Sequence, residues 1–229
     1  MSDKVISYID MCSREGVSLQ RGMNFGLGGN HSVILMSVRP NAPYRDQIDA
    51  SGTTLIYEGH DTPRSASCPN PKLIDQPLAN PSGIPTQNGR FFLAAQQAKA
   101  NDRPPERVRV YEKLRAGIWT YNGVFHLVDA WIATIESRRV CRFKLVAVEG
   151  EEDLDLPVRI DPQRRRIIPP HVKQAVWQRD GGKCCICHAT DELHFDHILP
   201  FSKGGTSLVA DNVQLLCARH NLAKSDRIE

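Results

Sequence analysis

With 229 residues, 29 Lys+Arg against 26 Asp+Glu and 41% hydrophobic residues, the chain has the make-up of a globular protein with one large domain or two modest ones. It contains no apolar run of about eighteen residues, which excludes a membrane-spanning helix and any function that needs one. Up to residue 155 the charges balance at 18 basic and 18 acidic residues, so bulk charge does not announce nucleic-acid binding and the whole excess of +3 lies in the tail.

The segment Met1-Ser2-Asp3-Lys4-Val5-Ile6-Ser7-Tyr8 lacks the apolar core of a signal peptide, so the expected compartment is the cytoplasm. Residues 1–20 carry apolar side chains at helical spacing and predict a short helix. The run from Arg21 to Asn30 holds four glycines, which suits either a close backbone approach or a plain turn. His31–Val38 and Thr53–Tyr57 read as strands, with the polar segment Tyr44–Gly52 between them. Residues 62–90 are rich in Pro, Ser, Asn and Gly and predict a long loop. Phe91–Lys99 predicts a helix and Arg107–Glu112 a strand. In Gly117–Trp131, two β-rich runs flank Asn122-Gly123, the strongest short hairpin signal. Val140–Val148 is a further strand. An acidic patch then leads into a Pro-rich linker with Arg164-Arg165-Arg166, and Pro169-Pro170 opens a helix over His171–Arg179.

Seven Cys are present, four of them near the C-terminus. In a reducing compartment that clustering favours metal ligation over disulfides. Cys184-x2-Cys187 and Cys217-x2-His220 have the spacing of a structural zinc site, with Cys185 as an alternative first ligand. A unit of this size needs such a staple, because its own apolar core is marginal. Between the pairs, Leu193–Ile198 and Val213–Leu216 read as strands and Arg219–Lys224 as a helix. That β, β, α order brings Asp196 near Asn221, two hard oxygen donors suited to Mg2+, Mn2+ or a similar ion. His197 beside them is a candidate general base.

These residues carry a resemblance. Cys-x2-Cys, Asp196-His197-Ile198-Leu199-Pro200, Lys203-Gly204-Gly205, Asp211-Asn212 and Cys217-x2-His220-Asn221-x2-Lys224 resemble the HNH nucleases of the ββα-metal class over residues 169–229. The resemblance implies that Asp196 and Asn221 hold a catalytic metal, that Asn212 orients the catalytic His or its loop, and that a phosphodiester is hydrolysed. His220 stands where many members have Cys, and Asn221 where others have His.

Upstream fragments resemble the SRA (SET- and RING-associated, or YDG) domain. They are Gly29–Ser37, Tyr44-Arg45-Asp46, Tyr57-Glu58-Gly59, Asp75-Gln76, Arg107–Val110, and Tyr121-Asn122-Gly123-Val124-Phe125, where Asn replaces the Asp of the hallmark. The resemblance implies a curved barrel that flips a modified cytosine between Tyr44 and Tyr57. A carboxylate, Asp46 first, would accept from the base N4 amino group, with Gln47 or Asp49 as alternatives.

The expected fold is α+β: an SRA/PUA-like curved β-barrel with short helices over 1–155, a linker over 156–168, and a zinc-stapled ββα-metal unit over 169–229. The expected function is a restriction-type endonuclease acting on double-stranded DNA that carries 5-methylcytosine or 5-hydroxymethylcytosine. Arg164, Arg165, Arg166, Lys203 and Lys224 are candidate phosphate contacts. Cutting both strands with one site per chain suggests a homodimer or sequential nicking. Two rivals stand: a non-catalytic reader with a zinc-stapled DNA clamp, and a nuclease whose barrel reads another modified base or a non-DNA ligand.

Overall fold

The computed structural model describes residues 3–148, 168–200, 203 and 205–224. The acidic patch and Arg164, Arg165 and Arg166 lie outside the described residues. The architecture is α+β, with ten strands in one connected sheet and four α-helices among the described residues. None of these helices is long and apolar enough to cross a membrane.

The N-terminal segment splits where a single helix was expected. Asp3–Ser7 is strand β1 and Tyr8–Glu15 is helix α1. Ser7 ends the strand because its hydroxyl caps the helix, accepting from the Asp10 backbone N–H at 3.1 Å. The glycine-rich run is a hairpin: β2 (Met23–Leu27) turns through Gly28 and Gly29, both at positive φ, into β3 (His31–Met36). Strand β4 (Gln47–Ile48) pairs with β5 (Thr54–Glu58). Helix α2 (Gln87–Lys99) starts four residues before the expected Phe91, because the Thr86 hydroxyl accepts from the Gly89 N–H. The 62–90 stretch is pinned rather than loose. Gln76 donates to the Gly59 carbonyl and accepts from the Cys141 N–H, and Asp75 holds Arg139.

The expected Asn122-Gly123 hairpin does not form. Ile118–Ile135 is a single strand, β7, flanked by β6 (Glu106–Arg115) and β8 (Arg138–Ala147). The turns fall instead at Gly117, with φ +75°, and at Glu136-Ser137, both at positive φ as a type I′ turn requires. Gly123, at φ +95°, lies opposite the register shift between Arg109 and Tyr111, where it bends the strand. Asn122 is buried, and its amide donates to Glu112 at 3.2 Å. Tertiary partners thus satisfy a residue pair that in isolation would favour a turn.

Long β7 carries β6 along its first half and β8 along its second. β3 joins β6 in parallel and β5 joins β8 antiparallel, so the sheet bends around a core of Met23, Ile34, Leu55, Phe91, Phe125 and Phe143, among others. β3 and β5 meet through side chains. The Asp46 carboxylate accepts from the Ser37 N–H at 2.9 Å and the Glu58 N–H at 3.1 Å, clipping the ends of both strands together.

The C-terminal unit comprises α3 (Pro170–Arg179), β9 (Leu193–His197), β10 (Val213–Cys217) and α4 (Ala218–Lys224). It is not tethered by the linker alone. β1 pairs with β7 on one side and with β9 on the other, so one sheet runs through both units. Leu114 and Ile118 of the barrel share a core with Val172, Val176, Phe195 and Leu215. Lys173 of α3 is fully buried and donates to Asn122 Oδ1 at 2.8 Å, while Asn122 donates to buried Glu112. Lys173→Met is expected to cost about 2 kcal/mol, because it leaves the buried Asn122 Oδ1 without this donor. Denaturant unfolding of the variant checks this; a midpoint unchanged from the parent would contradict it.

Candidate metal centre and aromatic slot

The loop after α3 brings Cys184 and Cys187 against Cys217 and His220, at the junction of β10 and α4. All four ligand atoms lie within 4.8 Å of one another. Cys187 Sγ and Cys217 Sγ are 3.8 Å apart, while His220 Nδ1 is 3.4 Å from Cys184 Sγ and 3.3 Å from Cys217 Sγ. A tetrahedral ion with Zn–S bonds near 2.3 Å sets its sulfurs about 3.8 Å apart, so the donor set fits zinc. Burial pushes the Cys184 thiol up, but the backbone N–H groups of Cys187, Cys217 and Ile186, with His220, outweigh it and hold it at about 6. That favours the thiolate a metal requires. Cys185 is exposed and donates to Gln214 at 3.3 Å, which leaves Cys184 as the first ligand of the group.

On β9, Leu193 and Phe195 enter the core while His194 and Asp196 occupy the opposite face. Helix α4 packs against this strand and supplies Lys224, 1% exposed. The Lys224 ammonium pairs with Asp196 Oδ2 at 2.9 Å and donates to the His197 carbonyl at 2.7 Å. The expectation that Lys224 contacts phosphate is therefore corrected: its charge is spent inside the protein. Asn221 lies one helical turn before Lys224, on the same helix face. His197 is buried, with Nε2 2.9 Å from the Ser207 hydroxyl, itself buried. Lys203 is exposed.

Asn212 closes the segment that follows His197. Its Oδ1 accepts from the Leu199 N–H at 2.8 Å, and its Nδ2 donates to the carbonyls of Leu199 and Thr206. Gly205 allows this closure, since a Cβ there would lie 1.8 Å from the Leu199 carbonyl oxygen and 2.9 Å from Asn212 Nδ2. Gly205→Ala is expected to displace this segment and, on the reading developed below, to cut strand cleavage at least about a hundredfold, the scale on which misplaced catalytic groups lose rate. Cleavage kinetics at unchanged DNA affinity would show it, and activity near the parent's would refute it.

In the barrel, three rings meet. Tyr44 stacks on His60 with centroids 4.8 Å apart and planes within 8°. The Tyr57 ring is 6.0 Å from His60, and its hydroxyl is 2.8 Å from His60 Nε2. The Lys72 ammonium sits 4.1 Å from the Tyr44 ring centroid and 2.9 Å from Asp61. Gly22 walls the group: a Cβ there would lie 2.8 Å from the Tyr57 hydroxyl and the His60 ring. Tyr44 and Tyr57 are thus brought together, but around an imidazole. Tyr57 is buried, and its hydroxyl also lies 3.2 Å from the Gly22 carbonyl.

The three polar candidates between the tyrosines separate. Both Asp46 oxygens accept backbone N–H groups, as described above. Burial pushes its carboxyl up to about 7, against the pull of those N–H groups and Arg142. Asp49 accepts from the N–H groups of Thr53 and Thr54 and the hydroxyls of Ser51 and Thr53, closing the β4–β5 turn. Burial opposes these bonds, but they prevail and hold its carboxyl below the usual range. Asp46 thus clips the ends of β3 and β5, and Asp49 closes the β4–β5 turn. Gln47 is exposed on β4 and has no such engagement among the described residues.

Residues 184–227 match the family model of HNH endonucleases. The C-terminal unit is HNH-like. The chain is also similar to an SRA domain, SUVH5, solved with hemi-methylated CG DNA, at 21% identity over 68% of this chain and 93% of that one, with a TM-score of 0.46. The same domain solved with fully hydroxymethylated CG DNA matches at 20% identity, 68% and 93% coverage, and a TM-score of 0.46. The DNA modification-dependent restriction endonuclease AspBHI matches at 16% identity over 61% of this chain and 67% of that one, with a TM-score of 0.41. A comparison with curated proteins gives no match.

Sequence reasoning missed His60, Lys72, Ser207 and Lys173. His60 follows Tyr57 by three residues, and Ser207 lies within the HNH-like Gly-rich segment. Position marked these residues as neighbours of a site, but only folding assigns them partners.

Proposed function

We propose that this chain is a modification-dependent DNA endonuclease, in which the barrel reads a modified cytosine and the HNH-like unit hydrolyses a phosphodiester. The observation that carries the reading is the joint presence, in one continuous sheet, of an HNH-like Asp196-His197 strand over a Cys3His cluster and a barrel whose two tyrosines converge on one slot. The order of SRA-like fragments in the sequence supports the choice of substrate.

The cluster Cys184, Cys187, Cys217 and His220 takes Zn2+ as a structural ion. Asp196 and Asn221 supply oxygen donors for a divalent ion such as Mg2+ or Mn2+, whose chemistry would be to neutralise charge on the scissile phosphate. His197 accepts the proton of the attacking water as the phosphorus–O3′ bond breaks. Ser207 holds the His197 ring, and Lys224 holds the Asp196 carboxylate and the His197 carbonyl. Asn212 acts on the loop rather than on the substrate.

In the barrel, a flipped base stacks on Tyr44. Asp46 and Gln47 are the candidates for its polar edge: a carboxylate or amide oxygen can accept from the cytosine N4 amino group, and a carboxylate finds no donor at that position of thymine, which presents an acceptor. Lys203 remains a candidate phosphate contact. Cutting of both strands proceeds through a homodimer or by successive nicks, which the ratio of nicked to linear plasmid at early times distinguishes.

The test is cleavage of matched duplexes carrying cytosine, 5-methylcytosine or 5-hydroxymethylcytosine, with Mg2+, with Mn2+ and with neither. Equal cutting of all duplexes would remove the modified-base reading. Binding of modified duplex with no cutting under any metal would favour the non-catalytic reader.

A further inference from the structure

We infer that the His60 imidazole is the resident occupant of the base slot, and that a modified base enters by taking its place against Tyr44. The inference rests on the reading of Tyr44 and Tyr57 as the base slot. Two groups occupy the Tyr44 ring: the His60 imidazole in a near-parallel stack at 4.8 Å, and the Lys72 ammonium 4.1 Å from the ring centroid. A base that stacks on Tyr44 in place of either must displace it.

The two occupants are held differently. Lys72 is fixed three ways: by Asp61 at 2.9 Å, by the Pro43 carbonyl, and over the Tyr44 ring. Asp61 is itself held by Arg138 and Gln76. Among the described residues the His60 ring has one hydrogen-bond partner, the Tyr57 hydroxyl at 2.8 Å, besides its stack. Its backbone is clamped, since the Asn88 amide accepts from the His60 N–H and donates to its carbonyl, both at 2.8 Å. The imidazole can therefore leave by side-chain rotation alone, with the chain fixed. Burial pushes the imidazole down to about 4, so it is neutral at physiological pH and its departure strands no charge. The space it vacates is bounded by the Tyr44 face, the Tyr57 hydroxyl and the Gly22 backbone. Those are a planar apolar wall, a polar handle and a wall without a side chain, the surfaces a flat heterocycle requires.

A resident ring of this kind sets a threshold. A flipped base must displace it, so His60 keeps the slot dry at a cost in affinity for the base that enters, while a duplex bound without flipping does not meet that cost. The experiment uses the full chain with His197→Ala as a non-cleaving background. It measures the ratio of dissociation constants for unmodified and 5-methylcytosine duplexes by fluorescence anisotropy. His60→Ala removes the competitor and is expected to tighten binding of the methylated duplex by up to about tenfold, the worth of one stacked pair, leaving the unmodified duplex unchanged. His60→Phe keeps a ring in the slot, makes it more apolar and is expected to lower the ratio. If His60 instead supports the slot, Ala lowers the ratio and Phe preserves it. Either result, or an unchanged ratio in either folded variant, overturns the inference, and the Phe variant decides alone should the Ala variant fail to fold. Tyr44→Ala separates the two layers. A ratio that survives Tyr44→Ala would sink the slot itself, whereas a ratio lost there but indifferent at His60 would sink only the occupant.

Discussion

Replacing His197 with Ala is expected to slow strand cleavage by about 10²–10⁴-fold, the usual contribution of a positioned general base, while leaving affinity for modified duplex DNA near the parent value. The position of the ring underlies this expectation. His197 ends β9 with Nε2 set by the buried Ser207 hydroxyl and its carbonyl held by Lys224. These contacts orient the imidazole without placing it in the barrel slot, so recognition and hydrolysis should separate cleanly in this variant. Ser207→Ala should reproduce part of the rate loss, because it releases the ring but leaves the base present. Cleavage that persists in His197→Ala at the parent rate would rule out His197 as the base.

The second large effect is expected from the Cys3His cluster. Cys187→Ser, or removal of the metal by a strong chelator, should abolish the fold of the C-terminal unit, since structural zinc contributes on the order of 10 kcal/mol to a unit of this size. The loss should not stop there. β1 pairs with β9 as well as with β7, and Leu114 and Ile118 pack against Phe195 and Leu215, so unfolding of the C-terminal unit exposes barrel surface. A lowered, broadened thermal transition for the whole chain is therefore expected, with loss of one bound zinc per chain by elemental analysis. Parent-like unfolding together with zinc loss would show that the cluster does not staple the fold.

Much of the C-terminal unit was legible in the sequence, because its chemistry depends on short spacings. Two Cys-x2 knuckles, a dipeptide on a strand and a helix starting beside a knuckle fix their own geometry. The Cys185 alternative fell away once Cys185 N–H was seen donating to Leu215 and its thiol to Gln214. The barrel was less legible. Asn122-Gly123 has the strongest local preference for a turn, yet it lies mid-strand because Glu112 and Lys173 satisfy the amide. Lys224 reads as a surface cation on a short helix, but Asp196 draws it into the interior. Asp46 reads as a free carboxylate between two aromatics, but each of its oxygens accepts a backbone N–H from the ends of β3 and β5.

The sequence by itself determined the members of the Cys3His cluster, the Asp196-His197 pair, the α+β class and the two tyrosines, since each depends on residue type and local spacing. Only the tertiary structure decided which polar side chains remain available, what lies between Tyr44 and Tyr57, and how the two units join. The reason is physical. A hydrogen-bond donor or acceptor is spent by whichever partner folding brings near, and those partners lie tens of residues away: Ser37 and Glu58 for Asp46, Asn88 for His60, Asn122 for Lys173. A β1 strand of five residues gives no sign in its own composition that it pairs with β7 on one side and β9 on the other. That shared strand is what turns a barrel and a nuclease-like unit into one body.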